Sequence, residues 1–346
     1  MILVTGGTGF VGSHLLYQLS KEYDKIKAIY RSGKKLAKVK AVFNLYEENF
    51  LDLFNKIEWV KADITDVTSL ESVFTDEISH VYHCAALVTF NPSLYLKMRK
   101  VNIEGTANLV NFCIDNNISR FCHVSSIATL GNVENKEVIS ESNEWDSNNR
   151  DNSYAITKYG AEMEVWRASQ EGLDVVIVNP GVILGSGFFD EGSGTLFSKI
   201  YKGFKFYTEG ITGFVGVKDV AKAMILLMKT DIKNEMFILT SENMSFKDVF
   251  FNIADNLNVK RPFIEIGKLS LNFFWRIEAL RNKITGKEPL ITKSSAKASL
   301  NKEFFSSEKI KKAVDYAFEP ISKVIKKTAT DFLKSNYSLS EANHSA

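Results

Sequence analysis

Cysteine is scarce in this chain. Three cysteines in 346 residues cannot build a disulfide-stapled scaffold. Cys84, Cys113 and Cys122 lie in apolar stretches and suit a reducing compartment. His83 beside Cys84, and Cys122 beside His123, invite a metal reading. Neighbours on a strand point to opposite faces, however, so neither pair chelates as a unit and no metal is expected. No apolar run approaches the roughly 18 to 20 residues of a membrane-spanning helix, so no membrane span is expected. An excess of one charge sign is also missing. Lys and Arg total 43 against 41 Asp and Glu, a formal net charge of +2, which gives no ground for a nucleic-acid partner or for attraction to anionic membranes. A cleavable leader is not expected, because the first residues are a strand feeding a glycine turn that cleavage would destroy. A cytoplasmic location follows as the expectation. No internal repeat is visible, and what remains is ordinary globular material, 45% hydrophobic and 24% charged, long enough for two domains.

The stretch MILVTGGTGFVG at residues 1–12 carries the first positive signal. Met1, Ile2, Leu3 and Val4 lack polar alternation, as in a strand covered on both faces. Gly6, Gly9 and Gly12 recur every three residues, and helical periodicity follows over residues 11–20. In a strand-to-helix turn such glycines let the backbone approach a pyrophosphate and let helix pack close to strand. The helix N-terminus adds unpaired N–H groups and the positive end of its dipole.

Strands are predicted over residues 26–30, 57–62, 81–86, 121–124 and 174–179, with helices over 92–117, interrupted at Asn102 and Gly105, and over 153–170 between them. Alternation of this kind specifies an α/β fold, a doubly wound parallel sheet of the Rossmann type. The dinucleotide-binding domain is expected over 1–180. A smaller, mainly helical substrate region follows over 181–337, with segments that return to the main sheet among its options, and then a flexible tail over 338–346. Within the second region, a strand at 214–217, a helix at 219–228, a strand at 236–239 and helical pieces at 246–257, 269–284, 307–316 and 321–333 are expected. The glycine-rich run GSGFFDEGSG at 185–194 reads as a mobile flap carrying Phe188 and Phe189. The polar stretch 131–152 is expected to border the site. The 269–284 stretch is amphipathic, and packing over a substrate pocket is the reading preferred to contact with a membrane surface.

Arg31 ends the second strand, where an acidic residue would bind the ribose hydroxyls of NAD and a cation favours the 2′-phosphate of NADP. NADP(H) is therefore the expected cofactor, with NAD(H) the alternative. Tyr154 and Lys158 lie four apart on one helix and share a face. A neighbouring ammonium stabilises a phenolate and is expected to lower the tyrosine's pKa, fitting it to pass protons to and from a substrate oxygen. Ser126 ends a central strand, where open α/β sheets bind ligands, and its hydroxyl is placed to hold the same oxygen.

Several pieces occur in one order: TGGTGFVG from Thr5, ADITD from Ala62, HCAA from His83, VNIEGT from Val101, VSS from Val124, YAITK from Tyr154, NPGVILG from Asn179 and FVGVKDVA from Phe214. In this order they resemble the extended short-chain dehydrogenase/reductase family, the NAD-dependent epimerase/dehydratase superfamily, and within it the dihydroflavonol reductase-like and 3β-hydroxysteroid dehydrogenase-like branch. The tail FFSSEKIKKAVDYAFEP resembles the family's closing segment more loosely. The resemblance implies catalytic roles for Ser126, Tyr154 and Lys158. It implies cofactor contacts at Gly6, Thr8, Gly9, Phe10, Val11, Gly12, Arg31, Lys38, Asp63, Ile64, Ala85, Ala86, Asn102, Tyr154, Lys158, Pro180 and Val182, with Asn102 supporting the Lys158 region. Substrate contacts are expected at Thr89, Phe90, Phe188 and Phe189, with Phe206 a further apolar candidate. The expected activity interconverts a carbonyl and an alcohol on a small organic substrate with a sizeable apolar part. The alternatives are a nucleotide-sugar epimerase/dehydratase that recycles its cofactor and a non-catalytic NADP-binding regulator. The family often dimerises through helix pairs, so a homodimer is consistent with the resemblance.

Overall fold

The computed structural model describes residues 1–75, 77–131, 138–145, 152–285 and 292–344. The chain folds as two compact units. The first comprises Met1–Gly181, Val217–Leu239 and Ser306–Ala317, and the second Val182–Gly216, Thr240–Phe305 and Phe318–Ala346.

The first unit is built on a seven-stranded parallel sheet. Its strands are β1 (Ile2–Thr5), β2 (Ile26–Tyr30), β3 (Ile57–Lys61), β4 (His80–His83), β5 (Arg120–Val124), β6 (Asp174–Pro180) and a seventh, Glu235–Leu239, and the spatial order runs from the seventh strand through β6, β5, β4, β1 and β2 to β3. Leu3 of β1 is in register with Lys27 on one side and Val81 on the other, all pairings parallel. Apolar runs without alternation put β1 wholly inside, and β6 from Val175 to Pro180, because helices cover both faces of such a sheet. The connection after β3 crosses to the far side of β1, so the topological switch lies between β1 and β4, where open α/β sheets hold ligands outside the strand ends. Helix α1 (Phe10–Glu22) packs against the helix Val217–Met228, and Gly105–Asp115 packs against Ser153–Gln170. Leu3, Val81, Leu109, Phe121, Val165 and Ile177 belong to one buried core between these elements.

The expected helix over 92–117 is broken. It runs as a short 3-10 turn Pro92–Leu94, a helix Tyr95–Arg99, a π-helical turn Lys100–Glu104 and the helix Gly105–Asp115. Asn102 sits inside the π turn, the kind of local widening that marks functional positions.

The second unit holds a three-stranded sheet, with Ile211–Gly216 central between antiparallel Glu242–Ser245 and parallel Val182–Leu184. Its core gathers Leu184, Phe197, Phe214, Ile253, Ile325 and Phe332. The run 185–194 corrects the flap expectation. Phe188 is buried, Phe189 packs its ring 5.0 Å from that of Phe332, and a Cβ on Gly194 would meet the Phe188 carbonyl oxygen at 1.9 Å. These glycines serve a tight turn over the unit's own core. The last helix, Ile321–His344, continues through the region where a tail is expected from residue 338. In the amphipathic helix Lys268–Thr285, Leu271 is buried while Phe274 and Ile277 are exposed.

Candidate active site

The glycine turn after β1 is shaped by close approach. Gly6 has φ +68°, a conformation that L side chains rarely adopt, and a Cβ there would lie 2.5 Å from the Ala85 nitrogen just beyond β4. A Cβ on Gly12 would lie 2.2 Å from the Gly6 carbonyl oxygen, so α1 can start against the strand only if this position is glycine. Gly9 is the N-cap of α1, in extended conformation and without a side-chain cap. The Gly9 N–H donates to the Gly6 carbonyl at 2.9 Å. Thr8, Phe10 and Val11 complete the turn, and the helix begins with backbone N–H groups that no capping side chain covers. An uncapped helix start over a glycine cradle fits the diphosphate of a dinucleotide.

Further along the carboxyl edge, Arg31 leaves β2 with its side chain 59% exposed and Nη1 3.8 Å from the Asp63 carboxylate. Asp63 Oδ1 accepts from the Thr65 N–H and hydroxyl, each at 2.9 Å, which fixes the turn beyond β3. Ile64 is buried against Gly105, where a Cβ would come within 2.7 Å of Ile64 Cδ1. Lys38 is half-buried on the helix Leu36–Asn44. Beyond β4, the Ala85 N–H donates weakly to Thr5 Oγ1 at 3.4 Å, and Ala86 follows without a bulky side chain.

Ser126, Tyr154 and Lys158 come together. Ser126 caps a 3-10 turn just past β5, its Oγ accepting from the Ala128 N–H at 3.2 Å. Tyr154 lies in the first turn of Ser153–Gln170, a helix capped by the Asn152 side chain, and the Ser126 side chain is near enough to favour its phenolate. The neighbouring Ser125 is buried instead, its N–H bonded to the Val178 carbonyl at 2.7 Å. Lys158, one helical turn on, is buried and donates from Nζ to the Val124 carbonyl at 2.6 Å.

The electrostatics correct the expected activation of the tyrosine. Burial pushes the Tyr154 phenol above its ordinary value, and only the Ser126 side chain works against it. Lys158 spends a donor on the Val124 carbonyl, and its own pKa is lowered to about 8, chiefly by burial, with Glu162 and then Cys84 opposing. Desolvation therefore outweighs the lysine's charge in setting the tyrosine's state.

Asn102 braces the neighbouring loop. Its Oδ1 accepts from the Leu87 N–H at 2.7 Å, and its Nδ2 donates to the Leu87 carbonyl at 3.0 Å and to Thr157 Oγ1 at 3.1 Å. Its link to Lys158 is therefore through the adjacent Thr157. Thr89 is buried in that loop, and Phe90, largely exposed, sets its ring edge-on to Tyr154 at 5.7 Å. Pro180 ends β6, whereas Val182, Phe188, Phe189 and Phe206 belong to the second unit. Most of the polar stretch 131–152 lies outside the described residues.

Sequence reasoning missed a second layer behind the triad. Glu162, buried at 2% exposure, accepts at Oε1 from Thr129 Oγ1 at 2.9 Å and from Asn179 Nδ2 at 2.6 Å. Asn179 also donates to the Ser126 carbonyl at 3.2 Å. The signal available was the spacing, since Glu162 lies four residues beyond Lys158 on the same helix face. The two histidines considered for a metal pair across β4 and β5. His83 is bonded at Nδ1 to Thr5 (2.6 Å) and at Nε2 to Thr106 (2.9 Å), and its ring centre is 5.1 Å from that of His123. Among the described residues no cluster could hold a metal ion.

A parallel sheet with its switch beside a glycine cradle, and a serine–tyrosine–lysine group at the next strand ends, defines a nucleotide-dependent enzyme of the short-chain dehydrogenase/reductase type. The model of the NAD-binding family described as "Male sterility protein" matches residues 4–222, and the chain belongs to that family, within the extended short-chain dehydrogenase/reductase superfamily. A Synechocystis sp. protein provisionally named dihydroflavonol 4-reductase is 25% identical over 88% of this chain and 87% of its own length. The dTDP-D-glucose 4,6-dehydratase of Dictyostelium discoideum is 31% identical over 72% of this chain and 60% of its own length. The crystal structure of gox2253 superposes with a TM-score of 0.79 at 24% identity, covering 97% of this chain and 98% of that one, which is a likeness of fold. The protein is an NAD(P)-dependent enzyme of this superfamily. Among the described residues, no helix is long and apolar enough to cross a membrane.

Proposed function

We propose that the protein is an NADP(H)-preferring oxidoreductase that interconverts a carbonyl and an alcohol on a small organic molecule with a sizeable apolar part. The observation that carries this reading is the gathering of Ser126, half-buried Tyr154 and, one helical turn on, buried Lys158 at the carboxyl ends of the central strands. A nicotinamide, when bound, donates or accepts the hydride. Gly6, Thr8, Gly9, Phe10, Val11 and Gly12 would hold its diphosphate, Arg31 and Lys38 the 2′-phosphate, and Asp63 and Ile64 the adenine. Ala85, Ala86, Asn102 and Pro180 would border its other half, with Lys158 on the ribose. Ser126 orients the substrate oxygen, and Tyr154 moves a proton at its Oη. Because burial keeps Tyr154 in its phenol form, the site is poised to donate that proton, the direction needed for carbonyl reduction. Alcohol oxidation needs the phenolate and is expected to gain rate as pH rises.

Phe90 beside Tyr154 supports an apolar substrate moiety. The likeness to a dTDP-D-glucose dehydratase supports a second reading, an epimerase or dehydratase that oxidises and reduces its cofactor within one turnover. A panel of carbonyls and alcohols, followed by nicotinamide absorbance, separates the two. Net NADPH consumption supports the oxidoreductase, and conversion without it supports the dehydratase. On any substrate so found, Tyr154→Phe is expected to lose activity by about 100-fold or more while still binding NADPH. Activity within a few-fold of the unaltered protein would remove Tyr154 from the proton-transfer role.

A further inference from the structure

Behind the triad lies a buried carboxylate that the reaction as written does not use. Glu162 sits one helical turn from Lys158 and shares its face of Ser153–Gln170, and both side chains are almost wholly inside, at 2% and 3% exposure. Two donors from separate elements hold the carboxylate. Thr129 reaches it from the 3-10 turn after β5, and Asn179 from β6. A charge buried this deeply persists only where donors and an opposite charge compensate it.

The other ionisable groups facing Lys158 carry no charge near neutral pH. His83 and His123, from β4 and β5, are held far below the imidazole range by burial, with the Lys158 charge adding to the effect. The Cys84 thiol, at the end of β4, is pushed up to about 12 by burial and stays protonated. Tyr154, on the same helix, is a phenol. Among these neighbours Glu162 is thus the group that can carry a negative charge, and its Oε1 accepts from both Thr129 and Asn179.

We propose that Glu162 is a positioning residue of the site, the buried counter-charge that Thr129 and Asn179 hold in place and that keeps Lys158 an ammonium. This rests on the reading of Tyr154 and Lys158 as the working pair and extends it to the group behind them. Without the carboxylate, desolvation of Lys158 goes uncompensated and its amine neutralises. With it, Lys158 keeps the charge needed beside the tyrosine and for a ribose. Glu162 touches no reacting atom in this scheme and acts through Lys158. Its own carboxyl is raised by burial, against which the surrounding donors and the Lys158 charge work.

The test reads Lys158 directly. Lysine labelled with ¹³C at Cε is titrated by NMR in the full chain, and Lys158 is assigned by the signal lost in Lys158→Met. Glu162→Gln retains an acceptor oxygen for Thr129 and Asn179 while removing the charge. The Lys158 midpoint in the unaltered protein is expected near 8, and in Glu162→Gln at least about one pH unit lower, a tenfold change in proton affinity. Glu162→Asp keeps the charge on a shorter side chain and is expected to fall between the two. Should Glu162→Gln not fold, Glu162→Met, which removes the charge at similar side-chain size, decides the matter. A Lys158 midpoint that stays where it is in the charge-removing variant that folds would overturn the proposal. Failure of the underlying reading would show elsewhere, as near-normal activity in Tyr154→Phe, so the two failures are distinguishable.

Discussion

Buried polar side chains decide the chemistry of this protein at the scale of single residues. Tyr154 and Lys158 are both pushed toward their neutral forms by burial, opposed at Tyr154 by the Ser126 side chain and at Lys158 by Glu162 and then Cys84. His123 is a costly exception, because neither ring nitrogen finds a hydrogen-bond partner among the described residues. Leaving such groups unsatisfied costs about 1–3 kcal/mol each. His123→Phe is therefore expected to melt at or above the temperature of the unaltered protein, and a fall of more than about 5 °C would contradict this. The sign of the pH effect follows from the same burial. Below the ordinary imidazole value of 6.5 the unfolded chain protonates His83 and His123 while the folded chain does not, down to about 3 for His83. The unfolded state then binds more protons, so stability falls as pH drops through this window. His123→Phe should lose less than the unaltered protein over the same range, measured by denaturant titration at several pH values. Arg31 poses a different question. Its side chain is more exposed than buried, and its 3.8 Å pairing with Asp63 is worth little at a surface. Arg31→Ala is expected to weaken NADPH binding about tenfold or more and to leave NADH nearly unchanged. Equal losses for the two would remove Arg31 from the 2′-phosphate.

At the scale of elements, the glycine turn and α1 are one construction. Gly12→Ala would drive a Cβ to 2.2 Å from the Gly6 carbonyl, so the start of the helix must shift away from the strand. NADPH affinity is expected to fall by about 100-fold, roughly 2.7 kcal/mol, while the far-ultraviolet spectrum stays close to that of the unaltered protein. Retained affinity would mean that the turn is not the seat of the diphosphate. This element was legible in the sequence because an unbroken apolar run, a glycine repeat and helical periodicity are all local signals. The helix Ser153–Gln170 was equally legible, and so was the shared face of Tyr154 and Lys158. The interruption of the 92–117 segment at Asn102 and Gly105 was readable too, but its form as a π turn was not. Period counting sees an apolar face, whereas the widening at Asn102 accompanies bonds to Leu87 and Thr157, contacts distant in sequence. The layer of Thr129, Glu162 and Asn179 was hidden for the same reason. Each residue is unremarkable where it stands, and their meeting depends on how β5, β6 and the helix are arranged.

The whole molecule is divided in a way the sequence only half discloses. A strand near residues 236–239 is readable from its apolar run, but which sheet receives it is not. It joins the first unit beside β6, in register from Glu235 with Val176 to Leu239 with Pro180. The parallel sheet thus draws its last strand from beyond a segment of the second unit. A fragment ending at Gly181 would leave β6 as an unpaired, apolar edge. Such a fragment is expected to aggregate on refolding, whereas the full chain should not, and light scattering would report the difference. A well-behaved monomeric fragment would show that the seventh strand is dispensable.

That same return sets a timetable for synthesis. As the chain leaves the ribosome, the glycine turn, Ser126, Tyr154 and Lys158 have all emerged by residue 158, yet the strand that closes their sheet comes only at residues 235–239. For the roughly four to fifteen seconds needed to add the intervening residues, at about 5–20 residues per second, the nascent unit carries these side chains on an open-edged sheet. Pauses in translation between these points would prolong that exposure, so the yield of folded enzyme should depend on how quickly this middle stretch is read.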